Sequence, residues 1–529
     1  MIEVRSVFRP LVIRLPPSSK ASDKAKELFD DAIDMFSCAY VDVIPGIVEL
    51  ELEAPSCGTV SALKGICGWI QDSNGPGAHQ KWLPSSLDAE LESRIPHTHE
   101  STLPHIRVAQ ELCKRNPLNA ISILETRLLH CPHDILALRV VQDLYLKSGK
   151  PKQALSCVER VFGDWDTHIP GYSRMLGLHS LGLVSCGHFV EAEEAAGRSL
   201  NIATDNIIAT KATAYSCAIR SRHREGMRLL RELGPSFDGT DNRGNVSPLY
   251  RELLHLKAIF NTEIARSRVA LRTVDTIANN RLGKLENAGI IGNTSMLEYR
   301  WEVNALWRIK LVNMDAGPQL QPKGVVSAIF GSSEESKFVD INKEVAARFA
   351  NLQDLVLWLD DEDKMIHITN VLALVGGDNV EGAEKYASHL QDRTSLVVLL
   401  SSAIIAFGKK DFSSCSRILL SSKEDWGQLD GIETQQDLFS QLLVISLLKQ
   451  GGVDFEHPSP KSNRLEDEIE SLFRAKAEIG ARLMRHQNSP QSWYWYYIVQ
   501  QELGDANAAE LALTKANDLG LNQGGADSN

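Results

Sequence analysis

Between Pro117 and Gly226 the chain repeats a turn that is followed, five residues later, by a small side chain. Arg115, Gly149, Gly187 and Arg222 stand at equivalent turn positions, separated by 34, 38 and 35 residues, and Ala120, Ala154, Ala192 and Met227 follow them. A period of this length belongs to helical hairpin repeats, in which each unit buries its apolar stripe by stacking on the next. Small residues at one fixed place let the two helices of a hairpin approach closely where they cross. Leu138, Val141 and Tyr145, and then Leu176, supply the stripe at helical spacing. The spacing predicts an all-α chain, an α-solenoid of stacked antiparallel helical hairpins.

The last unit repeats the scheme with Trp493, Tyr496, Tyr497, Gly504, Ala509, Leu513 and Ala516. Together these residues resemble tetratricopeptide (TPR) repeats, whose period is about 34 residues and whose signature runs aromatic, Leu-Gly-x-x-Tyr, Ala-x-x-x-Phe. The units from Pro104 to Leu233 match that signature more loosely, since Gln142 and Ser180 stand where it has Gly. Three longer stretches, 15–33, 116–202 and 433–448, are similar to the tetratricopeptide repeat protein 38 family. That resemblance implies the fold and no particular activity.

The chain divides at turn-rich stretches into an N-terminal helical segment and loop (1–104), the TPR-like hairpins (105–233), an irregular helical insert with loops (234–324) and C-terminal hairpins ending in a TPR-like unit (325–529). A formal net charge of −12, from 56 basic and 68 acidic side chains, speaks against general affinity for nucleic acid or anionic membrane. Membrane insertion is not expected, because no segment reaches the roughly 20 apolar residues that span a bilayer. The opening residues lack a long enough apolar run for a signal peptide, so a cytoplasmic location is expected. Nine cysteines without a C-x-x-C pair argue against a disulfide framework.

No phosphate-binding loop, nucleophile elbow or H-E-x-x-H motif occurs, so no cofactor is expected and an ordinary enzyme loses ground to a binding protein. His97, His99 and His105, and the run His130, Cys131 and His133, have metal-binding residue types. They fall in a loop and at a hairpin junction, and the reading assigns no metal. The family that the chain resembles carries histidines where this chain has Lys211, Tyr215, Cys217 and Thr369, with His367 displaced by two residues. The resemblance therefore implies that any site built on them is impaired here, and His255 is left as the one weak catalytic candidate. Arg220, Arg222, Arg224, Arg228 and Arg231, with His223, form a dense basic run; Asp360, Asp361, Glu362 and Asp363 form an acidic one.

Two functions remain. The first is a non-catalytic scaffold or adaptor for protein–protein interaction, binding a protein or peptide in the concave groove. In the tetratricopeptide pattern the groove-facing positions fall at Arg139, Asp143, Lys147 and Arg174, of which Arg139 and Lys147 are expected to be exposed; Arg139, Asp143 and Lys147 follow each other at steps of four. The second is an accessory enzyme or small-molecule-binding factor with a pocket between hairpins beside His255. Aliphatic packing around His255 would count against it.

Overall fold

The computed structural model describes residues 23–38, 43–54, 57–72, 103–232, 248–264, 266–288, 294–313, 341–353, 364–390, 395–429, 433–455, 458–461 and 463–524. Among these residues no strand occurs, and apart from a 3-10 turn at Lys423–Gln428 the regular structure is α-helix. The fold class is all-α, an α-solenoid of stacked antiparallel helical hairpins. His97, His99 and the acidic run Asp360 to Asp363 lie outside the described residues.

The chain divides into two compact units. The first takes Met1–Ser216, Leu229–Leu253 and Lys284–Leu297, and the second Cys217–Arg228, Leu254–Gly283 and Glu298–Asn529. In chain order the first helices are α1 (Asp23–Cys38), α2 (Ile44–Glu53), α3 (Gly58–Asp72), α4 (Leu103–Cys113), α5 (Pro117–His130), α6 (Ile135–Lys147), α7 (Pro151–Phe162), α8 (Tyr172–Ser185) and α9 (Phe189–Ile202). There follow α10 (Ile207–Ile219), α11 (His223–Glu232), α12 (Pro248–Glu263), α13 (Ser267–Ala288) and α14 (Thr294–Asn313). The C-terminal helices are α15 (Ile341–Gln353), α16 (Lys364–Gly376), α17 (Val380–Ser388), α18 (Ser395–Gly408), α19 (Phe412–Ser422), α20 (Glu433–Gln450), α21 (Glu466–Arg485), α22 (Pro490–Glu502) and α23 (Ala506–Gly524).

The periodic turn has one local cause. Arg115, Gly149, Gly187, Ser221, Asp378, Lys410 and Gly504 all have φ between 55° and 84°, the left-handed region in which a helix is commonly terminated. The residue after each one donates its N–H to a carbonyl five positions back. Lys150 to Tyr145 at 2.9 Å, His188 to Leu183 at 3.0 Å and Asp505 to Gln500 at 2.9 Å are examples. This is the Schellman closure, and it satisfies carbonyls that the helix end leaves bare. The same donor residue often caps the next helix, as where Asp411 accepts from the Ser414 N–H at 3.0 Å and Asn379 from the Gly382 N–H at 2.9 Å. One short connection thus stops one helix and starts its antiparallel neighbour.

Five residues beyond each of these turns lies a buried small side chain: Ala120, Ala154, Ala192, Gly226, Ala383, Cys415 and Ala509. In the fourth hairpin the sequence register was one residue late, because the left-handed residue is Ser221 and not Arg222. The small residue there is Gly226, whose added Cβ would stand 2.4 Å from Cζ of Phe260, while Met227 is half-buried. Serine at the turn and arginine beside it gave no compositional cue to this shift. Leu138, Val141 and Leu176 are fully buried, whereas Tyr145 is half-buried and its hydroxyl donates to Glu125 at 2.9 Å.

Within the first unit each helix from α3 to α9 packs on the next, and α6 lies beside α8. Helix α1 crosses both α6 and α8, and α3 rests on α4 and α6. The apolar face of α1, Ala25, Phe29, Ala32, Ile33 and Phe36, is buried there. In the second unit α15 to α23 continue the same sequential packing, and α16 also lies beside α18.

Candidate functional site

Of the four side chains assigned to the groove, Arg139, Asp143 and Arg174 are buried and Lys147 is half-buried. Arg139 and Asp143 are buried and pair with each other at 2.6 Å, with the guanidinium 5.9 Å from the centre of the Phe36 ring. Lys147 donates to the Ile70 carbonyl at 2.7 Å and lies 5.5 Å from the centre of the Trp69 ring. Arg174 is buried and grips Asp34 through Nε and Nη2 at 3.0 and 2.8 Å, and Asp205 through Nη1 at 2.7 Å. Residues of α1 and α3 pack against these side chains, and sequence periodicity carries no information about what covers a face. The expected exposure is therefore corrected: the chain's own N-terminal helices take the place foreseen for a partner.

His255 is buried in α12 and stacks on Trp301, with ring centroids 6.2 Å apart and planes at 16°. Burial, with Arg308 adding to it, pushes its imidazole down to about 3. It is a neutral core histidine near physiological pH. His367 is likewise buried, 2.8 Å from the Tyr386 hydroxyl, which also accepts from Asn370 at 2.8 Å. In the junction run, His133 Nε2 lies 2.7 Å from the Asp164 carbonyl and the ring meets Trp165 edge-on. His105 lies 3.4 Å from Asp134, which also takes Arg127 at 2.9 Å and caps α6 through the Ala137 N–H. Among the described residues no group of three or more His, Cys, Asp or Glu is placed to hold a metal ion.

Where the resembled family has histidines on α10, Lys211 pairs with Glu252 at 2.7 Å, and the Tyr215 hydroxyl donates to the same carboxylate at 2.5 Å. Burial and that carboxylate raise the phenol well above its ordinary value, so it stays a donor. The basic run is broken at Ser221, which separates Arg220 from α11. Arg222 pairs with Glu225 at 2.7 Å. His223 turns inward and is buried.

His223 belongs to an ionisable cluster of the second unit. Ser221, His223, Glu263, Arg308, Asp437, Arg482 and His486, with Ala218, Ile219 and Ile259, line a cavity of about 20 Å³. Arg308 reaches Glu263 at 3.3 Å and Asp437 at 3.0 Å. Arg482 donates to the other Asp437 oxygen and, through Nε, to Ser492 at 2.9 Å. His486 Nε2 is 3.5 Å from Asp437, and its Nδ1 is 3.4 Å from the Ser221 hydroxyl. Ser489, the N-cap of α22, donates to Glu263 at 3.4 Å. Neither ring nitrogen of His223 has a hydrogen-bond partner among the described residues.

The electrostatics balance. Two guanidinium groups face two carboxylates, and the histidines stay neutral: burial takes His223 down to about 4 and His486 well below its usual value. Burial alone would raise the Glu263 carboxyl, but the guanidinium groups of Arg482 and Arg308 outweigh it and hold it below its usual range. A 20 Å³ space accommodates about one water molecule, and the unsatisfied His223 nitrogens are suited to hydrogen-bond it. Without opening, the cavity has no room for an organic substrate.

Sequence reasoning named only His223 here, as part of the basic run. A usable cue lay in α21, where Arg482 continues the buried stripe of Leu472, Ala475 and Ile479. A charge at a stripe position signals a buried ion pair, because an unpaired one would cost too much. Its partners, Glu263 on α12, Asp437 on α20 and Ser492 on α22, could not be named from spacing.

The fold and this site define a helical-repeat protein whose polar cluster around His223 is internally neutralised. No protein-family model matches the chain. Among solved structures, the human IFIT1 dimer with PPP-AAAA is similar at 13% identity over 93% of this chain and 95% of that chain, with a TM-score of 0.37. The crystal structure of Ypp1 is similar at 10% identity over 93% of this chain and 81% of that chain, with a TM-score of 0.38. At this distance nothing about ligands carries over to this chain.

Proposed function

We propose that the protein is a non-catalytic scaffold that binds a protein or peptide partner on the outer faces of its hairpins. The observation that carries this reading is a contrast. The cluster around His223 has its charges neutralised and room for little more than water, while large apolar side chains face outward elsewhere. Leu118 and Leu129 on α5 are 63% and 75% exposed and, eleven residues apart, share one face of that helix. They stand at the two ends of that face with Ser122 and Glu125 between them, and exposed apolar side chains beside polar ones are what a partner surface uses. The groove positions Arg139, Asp143 and Arg174 are not part of this surface, being buried against α1 and one another.

The test is quantitative affinity purification with mass spectrometry, comparing the parent with a Leu118→Glu, Leu129→Glu variant of unchanged circular dichroism. A protein partner enriched on the parent and lost from the variant is the expected result. A second reading, a small-molecule-binding factor or accessory enzyme, rests on the unsatisfied His223 nitrogens. Native mass spectrometry showing a stoichiometric small molecule that is lost in His223→Gln, with an unchanged interaction profile in the α5 variant, would replace the first reading by the second.

A further inference from the structure

Helix α21 turns a long apolar stripe away from the protein. Ile469, Phe473, Ala477, Gly480 and Met484 recur at steps of four, four, three and four along its outward side. Phe473 is 57% and Met484 81% exposed, and a Cβ added at Gly480 would meet nothing within 4 Å. The opposite face, Leu472, Ala475, Ile479 and Leu483, is the buried one. So the helix is amphipathic inward, as a repeat requires, and apolar outward for a reason that the repeat does not supply. Single exposed apolar residues need no explanation, but a continuous row along about 20 Å of helix does.

The charges beside the row run from net acidic to net basic along the helix. Glu466, Asp467, Glu468 and Glu470 leave the N-terminal half net acidic despite Arg474, and Lys476, Arg482 and Arg485 leave the C-terminal half net basic despite Glu478, which pairs with Lys423. Of these, Arg482 is buried in the cluster described above, and Arg474 pairs along the helix with Glu470; Arg485 is exposed. A surface whose two halves carry opposite charge is complementary to itself when rotated by 180°.

From this we propose that α21 is a self-association surface, and that its partner is α21 of a second copy of this chain, packed antiparallel about a two-fold axis near Ala477. In that arrangement Phe473 of each copy packs over the small residues Ala477, Gly480 and Ala481 of the other, which allow close approach. Glu470 faces Arg485 of the other copy, and the helix dipoles oppose. A parallel pairing would place acidic half on acidic half. The contact is isologous, so it closes at a dimer. One helix pair makes a small interface, so dissociation on the order of micromolar is expected.

Sedimentation equilibrium of the full chain between about 1 and 100 μM, the range set by that affinity, tests it. A monomer–dimer equilibrium is expected, and Phe473→Glu with Met484→Glu should weaken it by more than about tenfold, since buried charges would be unpaired at its centre. Glu470→Arg and Arg485→Glu should each weaken the dimer, and the two together should restore it, because the pair is merely exchanged. These positions are exposed, so unchanged circular dichroism verifies that each variant is folded. A chain that stays monomeric over this range overturns the proposal. So does a dimer indifferent to the Phe473 and Met484 changes, or a charge exchange that fails to restore association.

Discussion

Acidification from pH 7 to pH 5 should cost the second unit much of its folding stability, through histidines that the folded chain keeps neutral. Burial pushes His223 down to about 4 and His255 to about 3, and His486 lies well below its ordinary value. An unfolded chain protonates its histidines near pH 6.5, so between that value and the folded-state values the unfolded state binds more protons. Stability from these groups is thus present at neutral pH and lost as the pH falls below about 6.5. By pH 5 His223 and His255 each remove about 2 kcal/mol, so the two together remove about 4 kcal/mol, a large part of a typical domain's total, and His486 adds to the loss in the same direction. Carboxylates held below their usual range, such as Glu263, lose their contribution only further down, which leaves this window to histidine. The assay is urea unfolding at both pH values, followed by fluorescence of the fully buried Trp307 and Trp495. His223→Gln should reduce the pH-dependent loss by about 2 kcal/mol, whatever it does to stability at pH 7. A parent whose stability is flat or rises on acidification, or a variant with the parent's pH slope, would refute the assignment of a buried neutral imidazole.

Other expected outcomes bear on the packing. Ala154→Asp or Ala192→Asp buries an unpaired charge at a helix crossing and should cost on the order of 3 kcal/mol or more; melting temperatures equal to the parent's would show that these positions are not crossings. Gly226→Val drives a side chain into the Phe260 ring and should cost about 1–3 kcal/mol, with partial recovery when Phe260→Leu is added; additive losses would exclude the contact. Arg174→Met strips the partner from Asp34 and Asp205, and because both carboxylates reach solvent the cost should be about 2 kcal/mol rather than that of a fully buried pair. Faster hydrogen exchange across Asp23–Cys38 checks this, and unchanged exchange would mean that Arg174 does not hold α1.

What the sequence by itself determined was everything repeated and local. A left-handed turn residue, a Schellman closure and a small residue five positions on are set within about a dozen consecutive residues, so Gly149 with Ala154, Gly187 with Ala192 and Gly504 with Ala509 announce hairpins without any structure. Where the turn carried serine, at Ser221, the signal was a residue off, since only backbone dihedrals distinguish it from its neighbour. The tertiary structure alone decided which faces are covered. Arg139, Asp143 and Arg174 stand at the positions that the tetratricopeptide pattern assigned to the groove, yet α1 brings Phe36 to Arg139 and Asp34 to Arg174, the latter from 140 residues away. The same holds for the cluster around His223, where Ser221 and His486 are 265 residues apart. Helical periodicity encodes the direction of a side chain relative to its own axis; the partner it meets depends on how distant segments close together, and no local pattern records that.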